Sequence, residues 1–160
     1  MGIDVRFFIE YKNTPKGKWI GLSEFFPDRN SRIINELWHY SEKRKLPEDY
    51  STDFFERAFV YISPENEINN CIGDKFCTKE IANDWVSEYK SIIYHSDNAN
   101  ADWVLDPEFE STSWLFFSEF KGILNKFSCI SNDYHAIFEC MKALEAKCGT
   151  NSTRLIFWYC

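Results

Sequence analysis

The opening residues, MGIDVRFFIEYK, place an Asp, an Arg and a Glu at even positions. In a β-strand, side chains alternate between faces, so Asp4, Arg6, Phe8 and Glu10 share one face. Ile3, Val5, Phe7, Ile9 and Tyr11 form the other face, which is wholly apolar. Arg154, at the head of the closing run RLIFWY, joins the polar row if the two chain ends are neighbouring strands. With Phe8, Trp19, Trp114 and Trp158 nearby, the cluster sets arginine forks beside flat rings. That combination suits an anionic, planar ligand such as a nucleotide. The plainer reading is a salt-bridge lattice on a half-exposed sheet, each Trp being a core residue.

Other constellations carry less. Ser111-Thr112-Ser113-Trp114 reads as the opening of a helix, where Ser111 and Ser113 hydroxyls and free N–H groups could hold a phosphate. One Ser serving as N-cap explains the same residues, and with no Gly-rich loop before it the segment is not a P-loop. His39, His95 and His135 fall on separate helices or their ends, and neither His135 with Glu139 nor His95 with Asp97 forms a metal motif, so no metal or cofactor is expected. No nucleophile elbow is present. Lys43-Arg44-Lys45 reads as a basic helix end complementing the helix dipole.

The elements that must position these residues follow from periodicity. Strands are expected over Ile3–Lys12, Lys18–Leu22 and Arg154–Tyr159, the last too apolar to lie on a sheet edge. Helices are expected from Asn30 or Ser31 to Arg44, from Thr78 to His95 on an Ile81/Trp85/Tyr89/Ile92 stripe, from Ser111 to Phe127, and from Ser131 to Gly149 in the C′ position. Ser51 caps a shorter turn over Asp53–Phe59 after the Leu46–Ser51 break, 60–73 reads as loop, and Asp102–Pro107 as irregular or a short strand. The expected fold is therefore a single α+β domain over residues 1–160. Its small, mainly antiparallel sheet has the first and last strands adjacent, packed by about four helices.

The 160 residues suit one domain, and 18% aromatic residues argue for a packed globule. A net charge of −7 disfavours direct binding to nucleic acid or an anionic membrane. No stretch reads as a membrane span or a secretory leader, so a cytoplasmic protein with its six cysteines reduced is expected, Cys140 serving as small apolar filling.

Met-Gly-Ile-Asp at the start, Gly17-Lys18-Trp19, Asp28-Arg29-Asn30, Leu46-Pro47-Glu48-Asp49-Tyr50-Ser51, Ser111-Thr112-Ser113-Trp114-Leu115 and the terminal Arg154-Leu155-Ile156-Phe157-Trp158-Tyr159 stand in the same order as in a family of small bacteriophage and prophage proteins, which the chain resembles. The resemblance implies a phage setting and a shared fold, and no activity. That family has His where this chain has Arg6, and His before its Ser-x-Ser-Trp where this chain has Glu110. A metal site built on those two histidines is thereby lost. The exchange suggests an Arg6–Glu110 ion pair, with the Asp4–Glu10 row facing inward under a Ser111–Leu115 helix start.

The function these features favour is a phage-type accessory protein that binds and does not catalyse. It would antagonise a host defence system by capturing a small nucleotide-like ligand. The alternatives are an acidic protein that inhibits a basic host defence effector, in the manner of an anti-CRISPR protein, and a small hydrolase built on Asp4, Glu10 and residues near Ser113.

Overall fold

The computed structural model describes residues 2–64, 75–96 and 101–160. The chain divides into two compact units, residues 1–54 with 111–160 and residues 55–110 between them.

In the first unit, β1 (Val5–Tyr11), β2 (Ile20–Phe25), β7 (Ser113–Phe116) and β8 (Thr153–Tyr159) form a sheet of order β2-β1-β8-β7, antiparallel throughout. The two chain ends are thus neighbours, as expected: Val5 lies opposite Tyr159 and Tyr11 opposite Thr153. The odd-numbered face is the one the sequence marks as apolar. Val5, Phe7, Ile9, Leu115, Leu155 and Phe157 meet α1 (Ser31–Lys43), α4 (Phe117–Leu124) and α5 (Asn132–Cys148) in one buried cluster. Phe7 meets Phe120 and Tyr134 edge to face, with ring centroids about 6 Å away. Asn30 caps α1, accepting from the Arg32 and Ile33 N–H groups, and Gly149 ends α5 at φ 105°.

One expected helix opens as a strand. Ser111–Ser113 do not cap a helix, because Ser113–Phe116 joins the sheet beside β8. In β7 Ser113 and Leu115 point inward and Trp114 outward, an alternation that the following FFSEF hides in sequence. The helix starts only at Phe117, where the Glu119 carboxylate reaches back to accept the Phe116 N–H at 3.0 Å.

In the second unit, β3 (Phe59–Ser63), β4 (Phe76–Thr78), β5 (Ile93–Ser96) and β6 (Ala101–Leu105) make a second sheet, ordered β4-β3-β6-β5, in which only the β3–β4 pairing is parallel. Of this sheet the sequence offered only the short strand over Asp102–Pro107, now β6: β3 replaces the start of the expected loop, and β5 the end of the expected second helix. α3 (Lys79–Tyr89) is stopped by Lys90 in the left-handed conformation, φ 54°. It buries Ala82 against Val60, Ile62, Cys77 and Val104, and leaves Ile81 and Tyr89 of its expected stripe exposed. The stretch 65–73 read as loop, with Cys71, and the polar run 97–100, with Asp97, lie outside the described residues.

Because β8 pairs on both sides, removing residues 155–160 takes away backbone partners for β1 and β7 together with the buried Leu155, Ile156, Phe157 and Trp158. We expect the truncated chain to show no cooperative thermal transition by circular dichroism. A single Phe157→Ala change should cost about 3–5 kcal/mol by denaturant titration.

Candidate functional site

The even-numbered face of β1 divides along its length. At the Glu10 end it is covered by the break and the start of α2 (Thr52–Ala58). Phe8 packs edge to face on Phe54 at 5.5 Å, and Phe54 on Trp158 at 6.2 Å. Ser51 holds this cover in two ways. Its hydroxyl accepts the Phe54 N–H as the helix cap, and its own N–H donates to Glu10 Oε2. Gly21, opposite Glu10 on β2 beside a β-bulge, permits the close approach, because a Cβ there would stand 2.6 Å from Asp53 Cβ and 2.8 Å from Phe8 Cζ.

Glu10 and Arg154 are direct cross-strand partners. Arg154 Nε donates to Glu10 Oε1 at 2.7 Å, Nη1 to Asp49 Oδ1 at 2.9 Å and Nη2 to the Asp49 carbonyl at 3.0 Å. The side chains of Glu10 and Arg154 are 0% and 3% exposed, so this is a dry ion pair whose remaining donors and acceptors are met by the Ser51 N–H and by the carboxylate and carbonyl of Asp49. The guanidinium lies 4.1 Å from the Trp19 ring centre, and the Trp19 indole N–H donates to Asp49 Oδ2 at 3.0 Å. Lys12 Nζ also stands over that ring, at 4.6 Å. Two guanidinium groups stand over the Trp114 ring, Arg44 at 4.6 Å and Arg154 at 5.9 Å from its centre. Arg44 in turn forks onto Glu119 at 2.7 and 2.8 Å, a pairing that its reading as part of a basic helix end did not foresee.

Of the sequence-expected site residues, Glu10, Trp19, Trp114 and Arg154 converge. Trp158 is wholly buried on the same sheet face as core, and Ser113 is buried with its hydroxyl donating to the Tyr40 carbonyl, so neither meets a ligand. Ser111 precedes β7 and opens no helix. Asp4 and Arg6 lie at the uncovered end of the row. Asp4 forms an exposed bidentate pair with Arg29, and Arg6 stands 3.9 Å from Glu24 with its guanidinium over Phe26. The cover over the row is therefore Asp49–Phe54 and not residues 111–115, of which Ser113–Leu115 belong to the sheet itself. Glu110 falls in the second unit, closing the 3₁₀ turn Pro107–Phe109.

Sequence reasoning missed Asp49. Its only signal was its place in the Leu46–Ser51 break, which leaves its carbonyl and carboxylate free of a helix. Beside it, Lys12, Gly17, Lys18, Trp19, Asp49, Tyr50 and Thr52 line an open groove of about 310 Å³. Burial would raise the Asp49 carboxyl, but the Arg154 hydrogen bond and charge and the Trp19 N–H outweigh it and hold the group below the usual range. Glu119 is likewise held low: burial opposes the charge, while Arg44 and the Phe116 N–H favour it more.

His95 pairs with Asp102, directly opposite on β6, at 2.8 Å. Among the described residues, no three His, Cys, Asp or Glu side chains gather to hold a metal, and no helix is long and apolar enough to cross a membrane. No protein-family model, curated protein or solved structure matches the chain.

Breaking the dry pair leaves its partner charge buried. Glu10→Ala should cost about 3–5 kcal/mol by denaturant titration, and Arg6→Ala, which touches a half-exposed pair, much less, about 0–1 kcal/mol. The folded values of Asp49 and Glu119 lie below their ordinary 3.8 and 4.5. Their stabilisation is therefore complete above that range and is lost as the pH falls through the folded values. We expect a flat melting temperature near neutrality and a decline in acid. Glu119→Gln should remove part of that decline.

Proposed function

We propose that the protein acts by binding and not by catalysis, and that the groove beside Trp19 holds a small, flat, anionic ligand of nucleotide type. One observation carries this reading: Lys12 and Lys18 line the groove together with an indole ring that the Arg154–Glu10–Asp49 network fixes in place. Two ammonium groups suit a phosphate, and since Lys12 and Arg154 stand over Trp19, the Tyr50 ring is the flat surface offered to a base. At about 310 Å³ the groove lies at the lower end of small-molecule sites. Arg154 takes a different part from the one its sequence suggests. Its fork is engaged within the protein, so it positions Trp19 and Asp49 and leaves ligand contact to the lysines. In the phage setting that the sequence resemblance implies, sequestering a host nucleotide signal would be an anti-defence function.

Isothermal titration with a panel of mono-, cyclic and dinucleotides, with free nucleosides and inorganic phosphate as controls, tests the reading. At least one nucleotide should bind and be recovered unaltered. The double change Lys12→Ala/Lys18→Ala should weaken it by about tenfold or more, roughly 1.4 kcal/mol, while the protein still unfolds cooperatively, the loss of Lys12 over Trp19 costing about 0.5–1 kcal/mol of stability. No binding across the panel, or binding indifferent to both lysines, would overturn the proposal.

A further inference from the structure

Charge is unevenly shared along the chain. Residues 55–110 hold four Lys and Arg against twelve Asp and Glu, a net of −8, while the rest of the chain holds 14 against 13. Part of that excess stands on α3 as an ordered row. Glu80, Asp84 and Glu88 are four residues apart, so they share one face of the helix, and all three are exposed. Like charges at this spacing repel, and Glu88 near the carboxyl end of α3 opposes the helix dipole, while Glu80 in the first turn is favoured by it. Among the described residues no ion pair reaches any of the three. Alone, then, the Asp84–Glu88 end of the row costs the helix stability.

Apolar side chains border it. Ile81, Trp85 and Tyr89 run up the adjoining arc of α3 toward buried Ala82, and Ile81 and Tyr89 are 41% and 40% exposed. Ile92, just past the helix, is 53% exposed. A solvated helix face would carry Lys or Gln there. An acidic row beside exposed aliphatic and aromatic groups is complementary to an amphipathic basic segment, and its sign excludes a nucleic acid backbone.

We infer that the outer face of α3 docks a basic segment of a partner protein, with Lys or Arg side chains on Glu80, Asp84 and Glu88 and an apolar side chain against Ile81 and Tyr89. This surface lies in the second unit and is independent of the groove at Trp19.

The test uses the full chain with a photo-crosslinking amino acid in place of exposed Ser87, which neighbours the row. After irradiation in a lysate of the cells that express the protein, the cross-linked segment is sequenced by mass spectrometry, synthesised and titrated. The segment should be rich in Lys and Arg. Its affinity should fall about tenfold or more in Glu80→Gln/Asp84→Asn/Glu88→Gln and fall again with added salt. The same variant should melt close to the parent, since the repulsion removed offsets the loss of Glu80 at the start of the helix, and Ile81→Ser/Tyr89→Ser should weaken binding by a salt-independent route. Lys12→Ala/Lys18→Ala should leave this affinity unchanged, which separates a failure here from a failure of the groove. A cross-link to an acidic or uncharged segment, to a second copy of the chain or to RNA would overturn the inference, as would no cross-link or an affinity unchanged in the triple variant.

Discussion

The first unit is organised around one desolvated contact, the pairing of Glu10 with Arg154 across β1 and β8. Two charges at less than 5% exposure are tolerable only when every strong donor and acceptor is answered. The answers come from the chain around position 50: the Ser51 N–H for Glu10, and the Asp49 carbonyl and carboxylate for the arginine. An ammonium could not replace the guanidinium, because three acceptors lie in different directions and only the planar fork reaches them together. Fixing residues 49–51 in turn sets Ser51 to cap α2, places Phe54 on Phe8 and Trp158, and gives Trp19 a hydrogen-bond partner at Asp49. The groove is a consequence of the pair.

The same contact explains why part of the sequence could be read and part could not. Strand periodicity in β1 and in RLIFWY is strong because both strands lie within the sheet, and their adjacency followed from there being two such runs. The caps at Asn30, Ser51 and Gly149 were equally legible, since each acts within a few residues of its own position. β3, β5 and β7 were not. Each is five residues or fewer, and β5 and β7 adjoin helical patterns that absorb them. In α3 the sequence offers a stripe of large apolar residues, yet the sheet is met by Ala82, whose small side chain lets the helix approach.

The polar row shows a sharper limit. Period two places Asp4, Arg6, Phe8 and Glu10 on one face correctly, but a face is not buried uniformly along its length. Whether a charge on it is lattice or core depends on what crosses above. That is decided here by Asp49–Phe54, about 40 residues away in sequence. A positional pattern carries no trace of such a partner. It follows that Asp4 with Arg29 and Arg6 with Glu24 belong to the surface, although they share a strand with the most buried acid of the unit.

The Glu10–Arg154 pair bridges 144 residues of chain, with the second unit inserted between its strands. That insertion costs less than it suggests. Loop-closure entropy grows with the logarithm of length, about 0.6 kcal/mol for each doubling, and residues 55–110 lengthen the loop by less than a doubling. Burying one side chain of the size of Phe157 contributes about 1.5–3 kcal/mol, so the β8 core outweighs the added loop several times over. The sheet can therefore carry a strongly acidic inserted unit without losing its own register. The insertion begins just after Phe54, the residue that completes the cover over Glu10, so the first unit satisfies its buried charges entirely from its own residues. The acidic excess of residues 55–110 is then free of any duty toward Arg154, and the cations best placed for a ligand remain on the groove of the first unit.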